Sequence, residues 1–92
     1  MRIQLTERFQ QDFAALSGDE RMRLFSVMLK IPTALKAPHL HGGMGLRKLH
    51  PSGIFEARLG LSLRLVFGVE SGSVILHRVG THDEIQRYLK SL

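Results

Sequence analysis

The chain of 92 residues contains no cysteine and no long apolar run. The lack of cysteine excludes disulfide bonds and thiolate metal ligands, so the chain is compatible with a reducing compartment. No apolar segment approaches the roughly 20 residues that a membrane-spanning helix needs. Glu7, Arg8 and Asp12 interrupt the apolar residues near the N-terminus, which argues against a signal peptide. We therefore expect a cytoplasmic protein.

Repeats, linkers and low-complexity tracts are also missing from the sequence. With 43% apolar and 23% charged residues, the composition is typical of a globular protein and not of a disordered one. A chain of this length suits one folding unit. We expect a single domain over residues 1–92.

Positive charge is what the sequence has in excess. It carries 13 lysines and arginines against 8 acidic residues, a net charge of +5, and nine of the 13 cations are arginine. Because the planar guanidinium group binds phosphate oxygens in a bidentate manner, this bias favours a polyanionic partner such as a nucleic acid. A charged surface with no ligand is the alternative.

The first third of the chain has the pattern of a strand followed by two helices. Residues 2–5 alternate polar and apolar side chains, and Thr6 is suited to cap a helix that carries Phe9, Phe13 and Leu16 on one stripe. A second helix is predicted over residues 19–31, and Pro32 is predicted to end it. Two helices joined this closely are expected to form an antiparallel hairpin.

After a loop rich in Gly, Pro and His, the sequence changes to short β-type segments. They cover residues 46–50, 54–59, 61–67 and 73–79 and are separated by turn residues. In the second segment, Glu56 and Arg58 alternate with apolar residues, which predicts one covered and one open face of an antiparallel sheet. In the third, Leu61 is predicted to be in the core and Arg64 on the open face.

A final helix is signalled by Thr81 and Glu84, whose spacing fits a capping box. Ile85, Tyr88 and Leu89 then form an apolar stripe that can pack on the body or on a partner. The predicted order of elements is β-α-α-β-β-β-β-α. This order indicates an α+β fold in which the helical hairpin packs on one face of a small, mostly antiparallel sheet.

Three segments resemble the RelE/ParE superfamily of toxin-antitoxin toxins. LRLVF at residues 63–67 is similar to the R-L-V-Y strand of RelE-type members, and RVGTH at residues 78–82 is similar to the G-T-H segment of YafQ-like members. GLRKLH at residues 45–50 resembles the G-x-R-x-x-H segment of the same YafQ-like branch. The order of elements agrees with this family over nearly the whole chain.

The resemblance implies an mRNA endoribonuclease that acts on the ribosome without a metal ion or other cofactor, and that is neutralised by an antitoxin. We expect the antitoxin to have an acidic segment that wraps the toxin. Arg64 matches the arginine of the R-L-V-Y strand and is expected to bind the scissile phosphate; an ion pair with Glu56 is its alternative role. His82 is the expected general acid and His50 a candidate base. Tyr88, six residues after His82, is expected to stack on a base or assist proton transfer.

Four further cations, Arg47, Lys48, Arg58 and Arg78, are candidates for contacts with the RNA backbone. The chain departs from the family in having Glu56 where RelE has a lysine-rich strand, so Glu56 is a second candidate base, and a loss of activity is also compatible with the pattern. A ParE-type inhibitor of DNA gyrase and a non-catalytic RNA- or partner-binding module remain alternatives. His39 and His41 lie two residues apart, but a Gly-rich segment without a nearby carboxylate is a poor support for metal ligands, so we expect no metal.

Overall fold

The computed structural model describes residues 2–37 and 44–92, so His39 and His41 lie outside the described residues. Within those residues the predicted order of elements is confirmed. The elements are β1 (Arg2–Leu5), α1 (Glu7–Ala14), α2 (Gly18–Lys36), β2 (Arg47–His50), β3 (Ile54–Leu59), β4 (Leu63–Glu70), β5 (Ser73–Thr81) and α3 (His82–Lys90). None of the helices described is long and apolar enough to cross a membrane.

The two N-terminal helices begin at side-chain caps. The hydroxyl of Thr6 accepts a hydrogen bond from the Phe9 amide at 3.0 Å, and Ser17 forms a complete capping box with Glu20. The prediction that Pro32 ends the second helix is wrong, because α2 continues to Lys36. Ala34, one turn beyond Ile31, is fully buried, and burial of this last turn outweighs the hydrogen bond that proline removes.

The five strands of the described chain form one sheet in the order β1-β5-β4-β3-β2. β1 pairs with β5 in parallel, and the other neighbours are antiparallel. The prediction that Leu61 is a core residue is wrong, because its side chain is 99% exposed. Leu59 pairs with Leu63, which places Leu61 in the turn between β3 and β4, where no strand neighbour covers it.

The main core lies between the helical hairpin and one face of the sheet. Phe9, Leu24 and Ile31 of the helices are buried against strand residues such as Leu65 and Phe67. Burial of these large side chains contributes most of the stabilisation of so small a chain. The hairpin thus covers one face of the sheet, as predicted.

The last helix packs on the opposite face of the sheet, at the end formed by β4 and β5. Tyr88 of α3 lies beside Arg78 of β5, and Gly80 is close to the side chain of Glu84. Ile85 is fully buried but lies outside the main core cluster. The apolar stripe of α3 therefore packs on the sheet of its own chain. Only the part of this second face that α3 does not cover is open.

Candidate active site

The register of the sheet brings charged side chains from three strands to the face that the hairpin does not cover. Arg47 of β2 pairs with Glu56 of β3, and Arg58 of β3 pairs with Arg64 of β4. Because residues i and i+2 of a strand project from the same face, Glu56 and Arg58 lie on one side. Four charged residues from three strands therefore become neighbours.

Glu56 is the buried centre of this group. Only 4% of the residue is exposed, and its carboxylate contacts two arginines. The Arg47 Nε donates to Oε2 at 3.0 Å, and the Arg64 Nε lies 3.5 Å from Oε1. The ion pair that the sequence suggested as an alternative role for Arg64 is thus present.

His82 is positioned by the start of α3. Thr81 caps this helix through a complete capping box with Glu84, so His82 is its first residue. The hydrogen bonds from Thr81 lower the pKa of the Glu84 carboxyl, with a smaller contribution from Arg78 and Arg87. The cap fixes the direction in which α3 leaves β5, and with it the place of His82.

A pocket of about 400 Å³ unites these residues. Its lining consists of Gly45, Leu46, Arg47, Glu56, Arg58, Arg64 and His82. Three arginines and one glutamate give the lining a net charge of +2 with a neutral histidine. A concave site with converging cations and a histidine can bind a phosphodiester and transfer a proton to or from it.

Gly45 shapes one wall of the pocket. It has a positive φ of 58°, and the side chain of Arg58 passes so close that a methyl group at this position would collide with its guanidinium. Gly45 was not among the site residues predicted from the sequence. The available signal was its place as the first residue of the GLRKLH segment, two residues before β2 begins.

Two of the four predicted catalytic residues line this pocket, and two do not. Arg64 and His82 are present, whereas His50 is the last residue of β2, and its Nδ1 contacts the hydroxyl of Ser52 in the following turn at 2.7 Å. Tyr88 lies under the guanidinium of Arg78, 5.6 Å from ring centroid to Cζ, in a separate depression. The catalytic roles assigned to these four residues stay predictions.

The predicted RNA-binding cations are likewise divided. Arg47 and Arg58 line the pocket, whereas Lys48 of β2 is exposed and is not among the lining residues. Arg78 is only 8% exposed and donates to both carboxylate oxygens of Asp12, at 2.7 and 3.3 Å. Its guanidinium is therefore already bound within the protein.

No site for a metal ion is evident in residues 2–37 and 44–92. No group of three or more His, Asp or Glu side chains in these residues could hold one.

Comparison with solved structures identifies the fold as that of RelE- and YafQ-type toxins. No protein-family model and no curated protein matches the sequence. In the DinJ–YafQ complex of E. coli, the matched chain has a TM-score of 0.74 at 17% identity, over 92% of this chain and 98% of that one. The matched chain of the RelB–RelE complex of Methanococcus jannaschii has a TM-score of 0.66 at 20% identity, over 92% of this chain and 96% of that one. A YoeB/ParE toxin of Agrobacterium tumefaciens has a TM-score of 0.66 at 17% identity, over 89% of this chain and 99% of that one.

Proposed function

We propose that this protein is the toxin of a toxin-antitoxin pair and that it cleaves mRNA on the ribosome. The observation that carries the proposal is the pocket in which Arg47, Arg58, Arg64 and His82 converge. The shared fold with RelE- and YafQ-type toxins supports it. A phosphodiester carries one negative charge, which the net charge of the lining complements.

The proposed reaction begins with attack of a ribose 2′-oxygen on the adjacent phosphorus. The 2′-hydroxyl loses its proton to water, the new P–O bond forms, and the bond to the 5′-oxygen breaks when that oxygen gains a proton. The products are a 2′,3′-cyclic phosphate and a 5′-hydroxyl end. Arg64 is assigned to the phosphate oxygens, where negative charge builds up in the transition state, and His82 to the proton delivered to the leaving oxygen.

The other predicted site residues receive roles from their places in the structure. Arg47 and Arg58 lie in the pocket and are assigned to phosphates next to the cleaved bond. His50, which contacts Ser52, and Tyr88, which contacts Arg78, are assigned supporting roles outside the pocket. Neither is required to touch the reacting atoms.

An antitoxin is the proposed protein partner. Two of the solved structures with this fold are complexes of a toxin with DinJ or RelB. We expect an acidic segment of the antitoxin to pair with the basic face of this chain. The apolar stripe of α3 offers the antitoxin little surface, because Ile85 is fully buried. Exposed apolar surface occurs instead beside the hairpin, where Leu5 and Phe25 are each 47% exposed.

The decisive test is expression of the protein in cells followed by mapping of mRNA ends. Arg64→Ala should lower the cleavage rate by several hundred-fold, about 3–4 kcal/mol, because the cation that stabilises the transition state is lost. His82→Ala should cost roughly 10²–10⁴-fold. His50→Ala should have a smaller effect. Arg23→Ala, an exposed arginine of α2 outside the pocket, is the matched control.

The same cells provide the outcomes that contradict the proposal. Cleavage and growth arrest at the wild-type level in the Arg64→Ala/His82→Ala double variant would show that the pocket is not the active site. Broken or relaxed plasmid DNA with intact mRNA would assign the protein to gyrase inhibition instead. If the purified protein cuts free RNA as fast as ribosome-bound mRNA, cleavage does not depend on the ribosome and that part of the proposal is wrong.

A further inference from the structure

A buried glutamate is an unexpected component of a pocket that binds phosphate. Its negative charge repels the ligand, and removal of a carboxylate from water costs free energy unless the group is paired. Glu56 has only 6% of its side chain exposed, whereas Arg47 beside it has 62%. The carboxylate therefore requires a function that compensates for its unfavourable effect on anion binding.

The contacts of Arg64 indicate what that function is. Its Nε lies 3.5 Å from Oε1 of Glu56, and its Nη1 donates to the Leu63 carbonyl oxygen at 3.1 Å. A guanidinium group has five N–H donors in a fixed plane. One N–H group donates to a protein acceptor and the Nε forms an ion pair with Glu56, so the guanidinium is held from two sides while other N–H groups remain for a ligand.

The positions of the three charged residues follow from the strand pairing. Arg47 is directly opposite Glu56, and Arg64 is diagonal to it because the direct partner of Glu56 is Val66. Diagonal neighbours on one face of a sheet are within reach of long side chains. Glu56 thus lies between the two arginines and contacts one with each carboxylate oxygen.

We propose that Glu56 is a positioning residue that orients Arg64, and secondarily Arg47, so that their unused N–H groups point into the pocket before the phosphate arrives. This inference rests on the proposed nuclease function. Preorganised donors stabilise charge in a transition state without the cost of reorganisation. The observed contacts favour this role over that of a base, because both carboxylate oxygens are already contacted by guanidinium groups.

The first test of this proposal needs no RNA. Glu56→Gln keeps the size of the side chain but removes its charge, and the Arg64 Nε–Hε group can be followed by ¹⁵N relaxation in the free protein. We expect its order parameter to fall in Glu56→Gln and to stay at the wild-type value in Glu70→Gln, a variant of an exposed glutamate outside the pocket. If Glu56→Gln does not fold, Glu56→Asp can be compared with the wild-type protein instead. This variant keeps the charge but shortens the side chain by one methylene group, which moves the carboxylate away from Arg64.

The second test measures cleavage kinetics. Glu56→Gln should lower kcat about 10–100-fold through misplacement of Arg64, with little change in KM. The loss should disappear in an Arg64→Ala background, since the residue through which Glu56 acts is then absent. The pH profile of kcat should keep its shape.

Three outcomes would overturn the inference. One is an unchanged order parameter of the Arg64 Nε–Hε group in Glu56→Gln. Another is a pH profile that loses its acidic limb in this variant, which would make Glu56 the base. The third is an equal loss of kcat with and without Arg64. If the wild-type protein cleaves no RNA, the proposed function fails, but the relaxation measurement still decides whether Glu56 orients Arg64.

Discussion

Replacement of Asp12 by alanine should destabilise the protein strongly, because three donors depend on this carboxylate. Arg78 donates to Oδ2 at 2.7 Å and to Oδ1 at 3.3 Å, and the Val79 amide donates to Oδ2 at 3.1 Å. The strand β1 pairs with β5 only as far as Leu76, so Asp12 takes the place of a strand neighbour for Val79. Its loss leaves the Arg78 guanidinium and the Val79 N–H without their carboxylate acceptor.

The expected loss is about 3 kcal/mol, the lower end of the range for breaking a buried ion pair. We take the lower end because about a tenth of each side chain stays in contact with water, 10% for Arg78 and 11% for Asp12. For a domain of this size, this loss corresponds to a fall in Tm of about 12–24 °C. Urea unfolding followed by circular dichroism measures it.

Two further variants test whether the loss of stability comes from the unpaired buried charge and not from substitution in general. Asp19→Ala removes an exposed carboxylate from the first turn of α2 and should cost less than about 1 kcal/mol. Asp12→Leu combined with Arg78→Met should recover part of the loss, because no buried charge is then left unpaired. A loss of under about 1 kcal/mol in Asp12→Ala would refute the reasoning and leave Arg78 available for RNA.

Gly45→Ala should cost about 1–3 kcal/mol in stability because of its positive φ and should also weaken binding of a non-cleavable RNA by displacing Arg58. Gly18→Ala, with open space around the added methyl, is the control for both measurements. Burial lowers the pKa of His77, an effect partly opposed by Glu70, so the unfolded chain binds the proton more readily. Stability should therefore fall as pH drops below about 6.5, and His77→Gln should flatten this dependence in urea unfolding at several pH values. Affinity for single-stranded RNA should fall with salt at a slope of about −0.7 per phosphate contact, and an affinity independent of salt would contradict the electrostatic basis of binding.

The elements that carried their own local signals were predicted well from the sequence. Thr81 and Glu84 form the capping box that their spacing indicated, and β3 has the predicted bounds Ile54–Leu59. Two predictions were wrong for different reasons. α2 passes through Pro32 because the turn beyond it is buried against distant parts of the chain, which a local pattern does not show. Leu61 is exposed because it lies in the local turn between β3 and β4, which the alternation of residues did not separate from β4.

The composition of the pocket depends on strand register, which is a long-range property. Alternation along β3 and β4 shows which side chains share a face with Glu56 or with Arg64, but it does not show which residues of the two strands are opposite each other. The turn that makes Leu59 the partner of Leu63 determines this pairing and places Arg64 diagonal to Glu56. A slip of one residue would turn Arg64 to the opposite face, toward the apolar core. The sequence therefore indicated Arg64 and His82 as site residues through family resemblance, whereas the position of Glu56 between two arginines required the folded sheet.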